Sequence, residues 1–322
     1  MTDEPRMTRR RAVILMGAML GASAVLWTAI GSVGVATGQE ETDKPMVIAR
    51  AHAGQHAPAF TEPVFVLVVG GDARTGVGGL YDSIHIVALD PVKRRASIVG
   101  IPRDSYVQSA HGNGMNKINS HGAAEGLPGF LDTVEQLSGC EFDYYMITSF
   151  EGFRGPQTGS GASFDKGPGL IDDLGGITIH VPDPLPNPNP IPLDAGTYRV
   201  GGRGALSYVR NRYNRPGGDF DRSLAQGEFL KFVLAEMRAD YEADPTTAIR
   251  NIAAARRHIR MDIPVTEAFR LGLVALRIKP KNVRNEVLDG TTATVNGASI
   301  VRITQGGLNQ LTDICSDGRL GG

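Results

Sequence analysis

Hydrophobic runs and alternating segments, divided by Gly- and Pro-rich breaks, predict a fold in which strands and helices interleave. Residues 64–69 are continuously apolar, as is typical of a strand that is buried on both faces. The alternating segment "DSIHIVALD" (82–90) and the run "RASIVGIP" (95–102) flank a short turn at Asp90 and Pro91. They therefore predict an antiparallel hairpin.

Helical periodicity follows this hairpin. The segment "LPGFLDTVEQLSG" predicts an amphipathic helix that ends at Gly139, and a long helix with an apolar stripe is predicted to begin at Asp219. Because the early hairpin is antiparallel while later strands alternate with helices, we expect an α/β fold with a mixed central sheet and helices on both faces. Further strands are predicted near 144–150, 175–182, 284–288 and 299–303, and further helices near 246–258 and 265–277.

Two loops and one extended segment complete the pattern. "GPQTGSGASFDKGPG" (155–169) predicts a Gly-rich loop and candidate lid. "PDPLPNPNPIPLDAG" (182–196) predicts a surface loop, since proline suits neither a helix interior nor a central strand. "YVRNR" (208–212) is interpreted as extended, which would project Arg210 and Arg212 to the same side.

The N-terminal region has the pattern of a membrane anchor. Residues 12–39 carry no charge and exceed the roughly 20 residues that span a bilayer. Three arginines precede this segment and an acidic cluster follows it. This predicts a cytoplasmic tail (1–11), a transmembrane helix (12–39), a tether (40–61) and an extracytoplasmic domain (62–322). A cleaved signal peptide and a twin-arginine signal are the rival interpretations; the length of the segment and the lack of a good small-residue cleavage site favour the anchor.

Charge and cysteine content narrow the function classes. The 322-residue chain has a formal net charge of -1, which argues against a broad basic face for nonspecific nucleic-acid binding. Any anion site must therefore be local. Cys140 and Cys315 either form a disulfide, as in many exported proteins, or are unrelated thiols, and the sequence leaves both open.

Charged residues cluster where the first three strands begin or end. Asp72 and Arg74 follow the first strand and Asp82 opens the second, so pairing of these strands would bring two carboxylates to one end of the sheet. Two carboxylates facing a phosphate suit Mg²⁺. Alternatively, Asp72 caps a turn and Asp82 only starts a strand. Arg103 follows the third strand, where its alternative is a salt bridge with Asp104.

A second cluster lies later in the chain. Four arginines fall within thirteen residues: Arg210, Arg212, Arg215 and Arg222. Arg222 and Gln226 share one face at the start of a predicted helix, where free N–H groups favour anions and an arginine adds bidentate recognition of phosphate. The cluster therefore predicts a pyrophosphate site. The alternative is a solvated arginine surface that Asp219 and Asp221 neutralise.

The ordered motifs resemble those of a known family. They are "VVGGDAR", "YDSIHIVALDP", "SIVGIPRDSYV", "NKINS", "TVEQLSG", "DDLGGITIHV", "LDAGTYRVGGRGALSYVRNR" and "GDFDRSLAQ". Over about 64–237 the chain resembles the LytR-CpsA-Psr (LCP) family of cell-envelope phosphotransferases. The resemblance implies an apolar tunnel and an Arg-lined site, dependent on Mg²⁺ (or Mn²⁺), for a polyprenyl-pyrophosphate-linked glycan. It also implies transfer of the glycan phosphate to a peptidoglycan hydroxyl, with release of polyprenyl phosphate.

The resemblance assigns a role to each matching position. Asp72 and Asp82 would be associated with the metal, and Asp82, Arg103 and Arg222 would be catalytic. Asp82 and Asp104 are the candidates for a general base. The residues expected to hold the pyrophosphate are Arg74, Arg103, Lys117, Arg210, Arg212, Arg222 and Gln226.

Three positions depart from the family pattern. Leu80 and Ala225 stand where many members carry arginine, and Asp221 stands where glycine is usual. A noncatalytic lipid-pyrophosphate binder and a pyrophosphatase are therefore alternative functions. The predicted topology and the lack of a basic helix-turn-helix argue against a transcriptional attenuator, a label the family has carried. The expected partners are the lipid-linked glycan, peptidoglycan and the membrane, with no nucleic acid.

Overall fold

The computed structural model describes residues 61–71, 80–155, 168–187 and 190–321. The predicted anchor, the tether up to residue 60, most of the Gly-rich loop, and both Asp72 and Arg74 lie outside the described residues. In the described part of the chain, no helix combines the length and the apolar character needed to cross a bilayer.

A mixed β-sheet forms the centre of the domain. The strands in chain order are β1 (Val64–Gly71), β2 (Tyr81–Asp90), β3 (Arg95–Gly100), β4 (Tyr106–Gln108), β5 (Met115–Lys117), β6 (Tyr144–Ser149), β7 (Ile177–Val181), β8 (Gly196–Val200), β9 (Ile259–Met261), β10 (Val283–Val287), β11 (Gly290–Val295) and β12 (Ala298–Ile303). The central sheet has the order β10-β3-β2-β1-β6-β9, and the pairs β4-β5, β7-β8 and β11-β12 form three two-stranded sheets. β2 is antiparallel to both β1 and β3, whereas β6 and β10 run parallel to β1 and β3.

Helices cover both faces of this sheet. They are α1 (Ile118–Ser138), α2 (Phe150–Arg154), α3 (Leu170–Asp173), α4 (Gly202–Arg210), α5 (Asp219–Ala243), α6 (Thr247–His258), α7 (Val265–Arg277) and α8 (Gln305–Asp317). On one face, Phe130 of α1 packs against Tyr81 with ring centroids 4.4 Å apart, and α8 is followed by Gly318, whose carbonyl accepts a bond from Ser97. On the other face, Leu230 of α5 packs against Ile98. The predicted mixed sheet with helices on both faces is confirmed.

The alternating side chains of β1 explain why the sheet is buried on both sides. Val64 and Val66 pack with Leu271 of α7 on one face, while Leu67 and Val69, which point the other way, are also buried. A strand with both faces covered needs apolar residues at every position, which is the pattern that residues 64–69 show.

The predicted hairpin and several other elements are confirmed. Asp90 pairs with Arg95, and the turn between β2 and β3 places Arg94 in the left-handed region with φ 52°. α1 ends at Gly139, which caps the helix at φ 71°. The predicted strand of "GGITIHVP" is β7, although it pairs with β8 and lies outside the central sheet.

The interpretation of "YVRNR" as extended is wrong. α4 continues through Arg210, and the N–H of Asn211 still bonds to the carbonyl of Ser207. Leu206 and Val209, three residues apart, share one face of this helix, and that spacing favoured a helix over a strand. Arg210 and Arg212 are therefore not related by strand alternation. β9, β11 and α8 were also not predicted.

Cys140 and Cys315 form a disulfide. The bond joins the residue just after the end of α1 to α8 across 175 positions of sequence. It thus ties the motif-bearing part of the chain to its C-terminal helix, and of the two alternatives left open by the sequence the disulfide is correct.

Candidate active site

The candidate site lies at one end of the central sheet. Gly71 at the end of β1 pairs with Tyr81 at the start of β2, and Gly100 at the end of β3 pairs with His85. This register brings Asp82 and Arg103 to the same end of the sheet. Asp72 and Arg74 follow Gly71 directly but lie outside the described residues, so their roles remain predictions.

Arg103 lies among three carboxylates. Its Nη1 donates to Oδ1 of Asp82 at 2.6 Å, while its Nε is 3.8 Å from Asp219 and 3.9 Å from Asp104. Its main partner is thus Asp82 across the sheet, and its sequence neighbour Asp104 makes only the longest of the three contacts. Burial disfavours the charge of Arg103, but the hydrogen bond to Asp82 and the three carboxylates outweigh it and raise the pKa of Arg103.

Arg222, in the first turn of α5, is buried. Only 4% of the residue is exposed, and its Nη2 lies 2.7 Å from Oδ1 of Asp219 and donates to the backbone oxygen of Asp82 at 3.2 Å. Burial lowers the pKa of Arg222 to about 10, despite the opposing effect of Asp219, and nearby Arg103 lowers it further. Burial likewise raises the pKa of Asp219. A solvated arginine surface is therefore the wrong description of Arg222.

Arg215 and Asp221 shape the turn before α5. The carboxylate of Asp221 accepts the N–H of Gly217 at 2.7 Å, and Arg215 donates to the backbone oxygens of Asp221 and Tyr208 at 2.9 and 3.1 Å. The Arg215 guanidinium also lies 5.3 Å from the centre of the Tyr208 ring. These contacts give Arg215 a structural role, which separates it from the other three arginines of its cluster.

A cavity of about 160 Å³ joins six of the predicted residues into one site. Its polar lining residues include Asp82, Ser83, Arg103, Arg210, Arg212, Arg222 and Gln226. Its apolar lining residues include Val68, Val69, Phe150, Phe153, Leu206, Val209, Phe229 and Leu230. The lining of the cavity is thus amphipathic, because it combines guanidinium and amide groups with aliphatic and aromatic side chains.

Neighbouring groups hold several of these side chains in place. The guanidinium carbon of Arg210 lies 4.4 Å from the centre of the Phe150 ring, a cation–π contact. Nε2 of Gln226 donates to the backbone oxygen of Val209 at 3.0 Å. Lys117 does not line the cavity; its Nζ lies 2.8 Å from Oδ1 of Asp104. The role of Lys117 in holding pyrophosphate stays a prediction, and in this structure its ammonium group pairs with Asp104 outside the cavity.

His85 and Ser83 line the cavity but were not predicted. His85 is 1% exposed, and its Nε2 lies 3.1 Å from the backbone oxygen of Ser223, so Nε2 must carry the proton and donate. Its Nδ1 then accepts from the hydroxyl of Ser83 at 3.3 Å. Burial lowers the pKa of His85 to about 4, and Arg222 contributes in the same direction. The available signal was one polar residue between Ile84 and Ile86 in a strand whose neighbours are buried on both faces.

The residues present suit a hard divalent cation only in part. Among the described residues, no group of three or more metal-ligating side chains is found, and Asp82 is the carboxylate that lines the cavity. Mg²⁺ commonly uses one or two protein carboxylates and completes its coordination with phosphate and water. Asp82 therefore fits the donor set that a phosphate-bound Mg²⁺ requires, and the chain connection from Gly71 leaves Asp72 as the second candidate.

The LytR_cpsA_psr family model matches residues 32–316. The chain belongs to this family. It is 30% identical over 173 residues to a protein of Bacillus licheniformis named polyisoprenyl-teichoic acid–peptidoglycan teichoic acid transferase TagU, a match that covers 54% of this chain and 52% of the relative. The protein of the same name from Bacillus subtilis is 29% identical over 173 residues, with the same coverage. The chain thus spans about half the length of the curated relatives it matches.

Solved structures share the fold. The crystal structure of TagV from B. subtilis superposes with a TM-score of 0.65 at 23% identity, covering 79% of this chain and 96% of that one. The structure of TagT bound to LIIa-WTA gives a TM-score of 0.61 at 21% identity, covering 79% of this chain and 89% of that one. Residues beyond 240 belong to the same mixed α/β domain as the motifs, because β9 and β10 are the two edge strands of its central sheet.

The departures from the family motifs differ in their surroundings. Leu80 is 48% exposed and directly precedes β2, at the end of the sheet that carries the candidate site. Ala225 is 6% exposed and belongs to the same hydrophobic cluster as Tyr208 and Phe229. An arginine at position 80 would reach solvent, whereas an arginine at 225 would have to enter a packed core.

Proposed function

We propose that the chain is a phosphotransferase that moves a glycan phosphate from a polyprenyl-pyrophosphate carrier to a peptidoglycan hydroxyl and releases polyprenyl phosphate. The observation that carries this proposal is the amphipathic cavity, whose lining includes both guanidinium groups that suit a pyrophosphate and apolar side chains that suit an isoprenoid chain. Arginine side chains provide the planar donors that phosphates require. The apolar wall suits an isoprenoid chain, which gains about 25 cal/mol for each Å² removed from water.

The unsatisfied donors of the site support an anionic ligand. Nε of Arg103 and Nε of Arg222 are buried without a hydrogen-bond acceptor. A buried donor without a partner costs about 1–3 kcal/mol. Phosphate oxygens would satisfy these donors, and the N-terminus of α5 adds a favourable dipole for the same charge.

The proposed reaction is an in-line displacement at phosphorus. The oxygen of the acceptor hydroxyl forms a bond to the glycan-side phosphorus, the bond from that phosphorus to the bridging oxygen breaks, and polyprenyl phosphate leaves with the bridging oxygen. Arg103 and Arg222 stabilise the charge on the phosphoryl group and on the leaving phosphate. Arg210, Arg212 and Gln226 bind and orient the pyrophosphate.

Asp82 is the better candidate for the general base. It lines the cavity, whereas Asp104 is held by Lys117 at 2.8 Å outside it. A general base must lie within hydrogen-bond reach of the proton it removes. We therefore propose that the proton of the acceptor hydroxyl passes to Asp82 and that Asp104 with Lys117 positions Arg103.

A divalent cation, Mg²⁺ or Mn²⁺, is part of this proposal. When bound, it would neutralise charge on the pyrophosphate oxygens. Asp82 is the described residue that would hold it, with Asp72 as the second predicted ligand. The carboxylate chemistry of Asp82 supports this assignment.

We further propose that residues 12–39 anchor the protein in the cell membrane, with residues 1–11 cytoplasmic and the domain extracytoplasmic. The disulfide between Cys140 and Cys315 supports this placement, because disulfides persist in exported proteins and are rare in reducing compartments. The name of TagU makes a polyisoprenyl-linked teichoic acid the first substrate to test, with peptidoglycan as acceptor.

The decisive experiment follows release of polyprenyl phosphate. The full chain in detergent is incubated with a polyprenyl-pyrophosphate-linked glycan and peptidoglycan fragments, with Mg²⁺ or with chelator. Arg103→Ala and Arg222→Ala are compared with Arg302→Ala, whose exposed side chain on β12 lies outside the cavity. We expect release that requires the metal, falls at least about a hundredfold in the two site variants, and is unchanged in the control.

Two other outcomes would change the proposal. Release without acceptor would identify a pyrophosphatase. Bound lipid without any release, in protein whose circular dichroism is native, would identify a noncatalytic carrier and reduce the roles of Arg103 and Arg222 to binding.

A further inference from the structure

Three elements of the candidate site meet at the side chain of His85. His85 belongs to β2 and pairs with Gly100, the last residue of β3. A Cβ added to Gly100 would clash with Oγ of Ser223 in α5 and would lie 3.1 Å from Nε2 of His85, so the end of β3 packs closely against both. Because β2 also carries Asp82 and Arg103 follows β3, His85 lies where the supports of these two residues meet the start of α5.

Two hydrogen bonds join β2 to α5 in this region. Nε2 of His85 donates to the backbone oxygen of Ser223 at 3.1 Å, and Nη2 of Arg222 donates to the backbone oxygen of Asp82 at 3.2 Å. The first bond holds the backbone next to Arg222, while the second holds the end of its side chain. Together they fix the guanidinium group at both ends relative to Asp82.

A polar side chain at this position of β2 carries a cost that an apolar one would not. His85 is 1% exposed and lies between Ile84 and Ile86, which are fully buried. Burying a polar group costs free energy unless it is hydrogen-bonded, and here both ring nitrogens have partners, Ser83 and Ser223. An apolar residue of similar size would fill the same space but would lose the bond to α5. That bond therefore distinguishes the histidine from its apolar neighbours in the strand.

We propose that His85 is a positioning residue for the proposed phosphotransfer, holding the start of α5 against β2 and β3 so that the Arg222 guanidinium group faces the phosphoryl group. The inference rests on the proposed function, in which Arg222 stabilises the charge on that group. The effect on rate arises from geometry, because misplacing a group by about 1 Å can cost about a hundredfold. The effect on donor affinity is smaller, since the guanidinium group stays in the wall of the cavity and still attracts the anion.

Substitutions at position 85 separate the hydrogen bond from the packing. Glutamine can place an amide N–H where Nε2 donates, whereas leucine and methionine fill similar space without a donor. In the polyprenyl phosphate release assay with the full chain, we expect kcat of His85→Leu to fall about tenfold or more, with KM for the lipid-linked donor within about threefold of the wild type. His85→Gln should restore most of kcat. His85→Met takes the place of His85→Leu if circular dichroism shows that the leucine variant is not native.

A double-mutant cycle tests whether His85 acts through Arg222. In an Arg222→Ala background, His85→Leu should cause no further loss of kcat, because the group that it positions is already absent. In an Arg210→Ala background the same substitution should cause its full loss, since Arg210 belongs to α4. A general weakening of the fold would instead lower kcat by the same factor in both backgrounds.

Modification of arginine gives a measurement that needs no turnover. Arg222 is 4% exposed, so phenylglyoxal should modify it slowly in the wild type and in His85→Gln. In His85→Leu, where the start of α5 is held less firmly, modification of Arg222 should be about tenfold faster by mass spectrometry. The exposed Arg302 should react equally in all three proteins.

The outcomes separate the positioning role from the proposed reaction. Equal kcat in His85→Leu and the wild type, or a full further loss in the Arg222→Ala background, overturns the positioning role. Equal modification of Arg222 in the leucine variant and the wild type also overturns it. If the wild type releases no polyprenyl phosphate, the proposed function fails by itself, and the modification of Arg222 still decides whether His85 holds it in place.

Discussion

His85 is a buried titratable group in the wall of the cavity, and we expect acid to destabilise the fold through it. Its pKa is lowered from 6.5 to about 4, chiefly because burial penalises the imidazolium form. Arg222 disfavours a second positive charge and the Ser83 hydroxyl can donate to Nδ1 of a neutral ring, whereas the Ser223 carbonyl that accepts from Nε2 raises the pKa and offsets burial only in part.

Proton linkage gives the sign and the size of the change in the free energy of unfolding with pH. Below pH 6.5 the unfolded chain takes up a proton at this histidine, whereas the folded chain does so only near pH 4, so stability is lost as the pH falls between these values. A difference of one pKa unit is worth about 1.4 kcal/mol. For His85 the loss relative to neutral pH is therefore about 2 kcal/mol at pH 5 and about 3 kcal/mol at pH 4.

The assay compares the wild-type chain with His85→Gln in urea unfolding curves followed by circular dichroism at several pH values. Glutamine can still donate to the Ser223 carbonyl but does not titrate in this range, so it removes the linkage while keeping the bond. The free-energy difference between the two proteins should shrink by about 2 kcal/mol between pH 7 and pH 5. Two curves that stay parallel over this range would refute a neutral, buried His85.

The remaining predictions concern the disulfide and the arginine positions. Replacing Cys140 and Cys315 by alanine should lower the free energy of unfolding by about 2–5 kcal/mol, with reduction of the wild type as the control measurement. Arg222→Lys should weaken binding of a short-chain prenyl pyrophosphate at least about tenfold in calorimetry, because a point charge replaces a planar fork; unchanged affinity would remove Arg222 from the site. Leu80→Arg should fold normally and tighten that binding a few-fold at low salt. Ala225→Arg should sharply lower the midpoint of thermal unfolding, because an arginine there overpacks the core. A larger loss of thermal stability in Leu80→Arg than in Ala225→Arg would contradict the burial of the two positions.

The elements that the sequence predicted correctly are those with strong local patterns. The hairpin at Asp90 has a continuous apolar run before it and a turn within it, and α5 begins at an acidic residue and continues through an apolar stripe. α4 was misinterpreted because the two-residue spacing of Arg210 and Arg212 suggests strand alternation. The three-residue spacing of Leu206 and Val209 instead fits one face of a helix.

Asp82 and Arg103 converge because they lie at the same end of the central sheet, but their individual partners depend on the register of the strands. The sequence offered a salt bridge with Asp104, its neighbour in the chain, as the alternative role of Arg103, whereas the pairing of β2 with β3 gives it Asp82 as its main partner. Lys117 matched a family motif, yet the hairpin of β4 and β5 directs it to Asp104. His85 was missed because its only sequence signal is its place as a polar residue between Ile84 and Ile86. That signal does not identify a role until its neighbours Ser83, Ser223 and Arg222 are known in space.

The ion pairs of the site also suggest how substrate binding and catalysis are coupled. Arg103 bonds Asp82 at 2.6 Å while its Nε remains within 4 Å of Asp219 and Asp104, so it can turn toward a phosphate and keep carboxylates nearby. In the proposed reaction, a pyrophosphate that draws Arg103 away would leave Asp82 free to accept the proton of the acceptor hydroxyl. The same anion would stabilise the charge of Arg222, which burial disfavours. Under the proposed function, binding of the donor and release of Asp82 would therefore be one movement of the Arg103 guanidinium group.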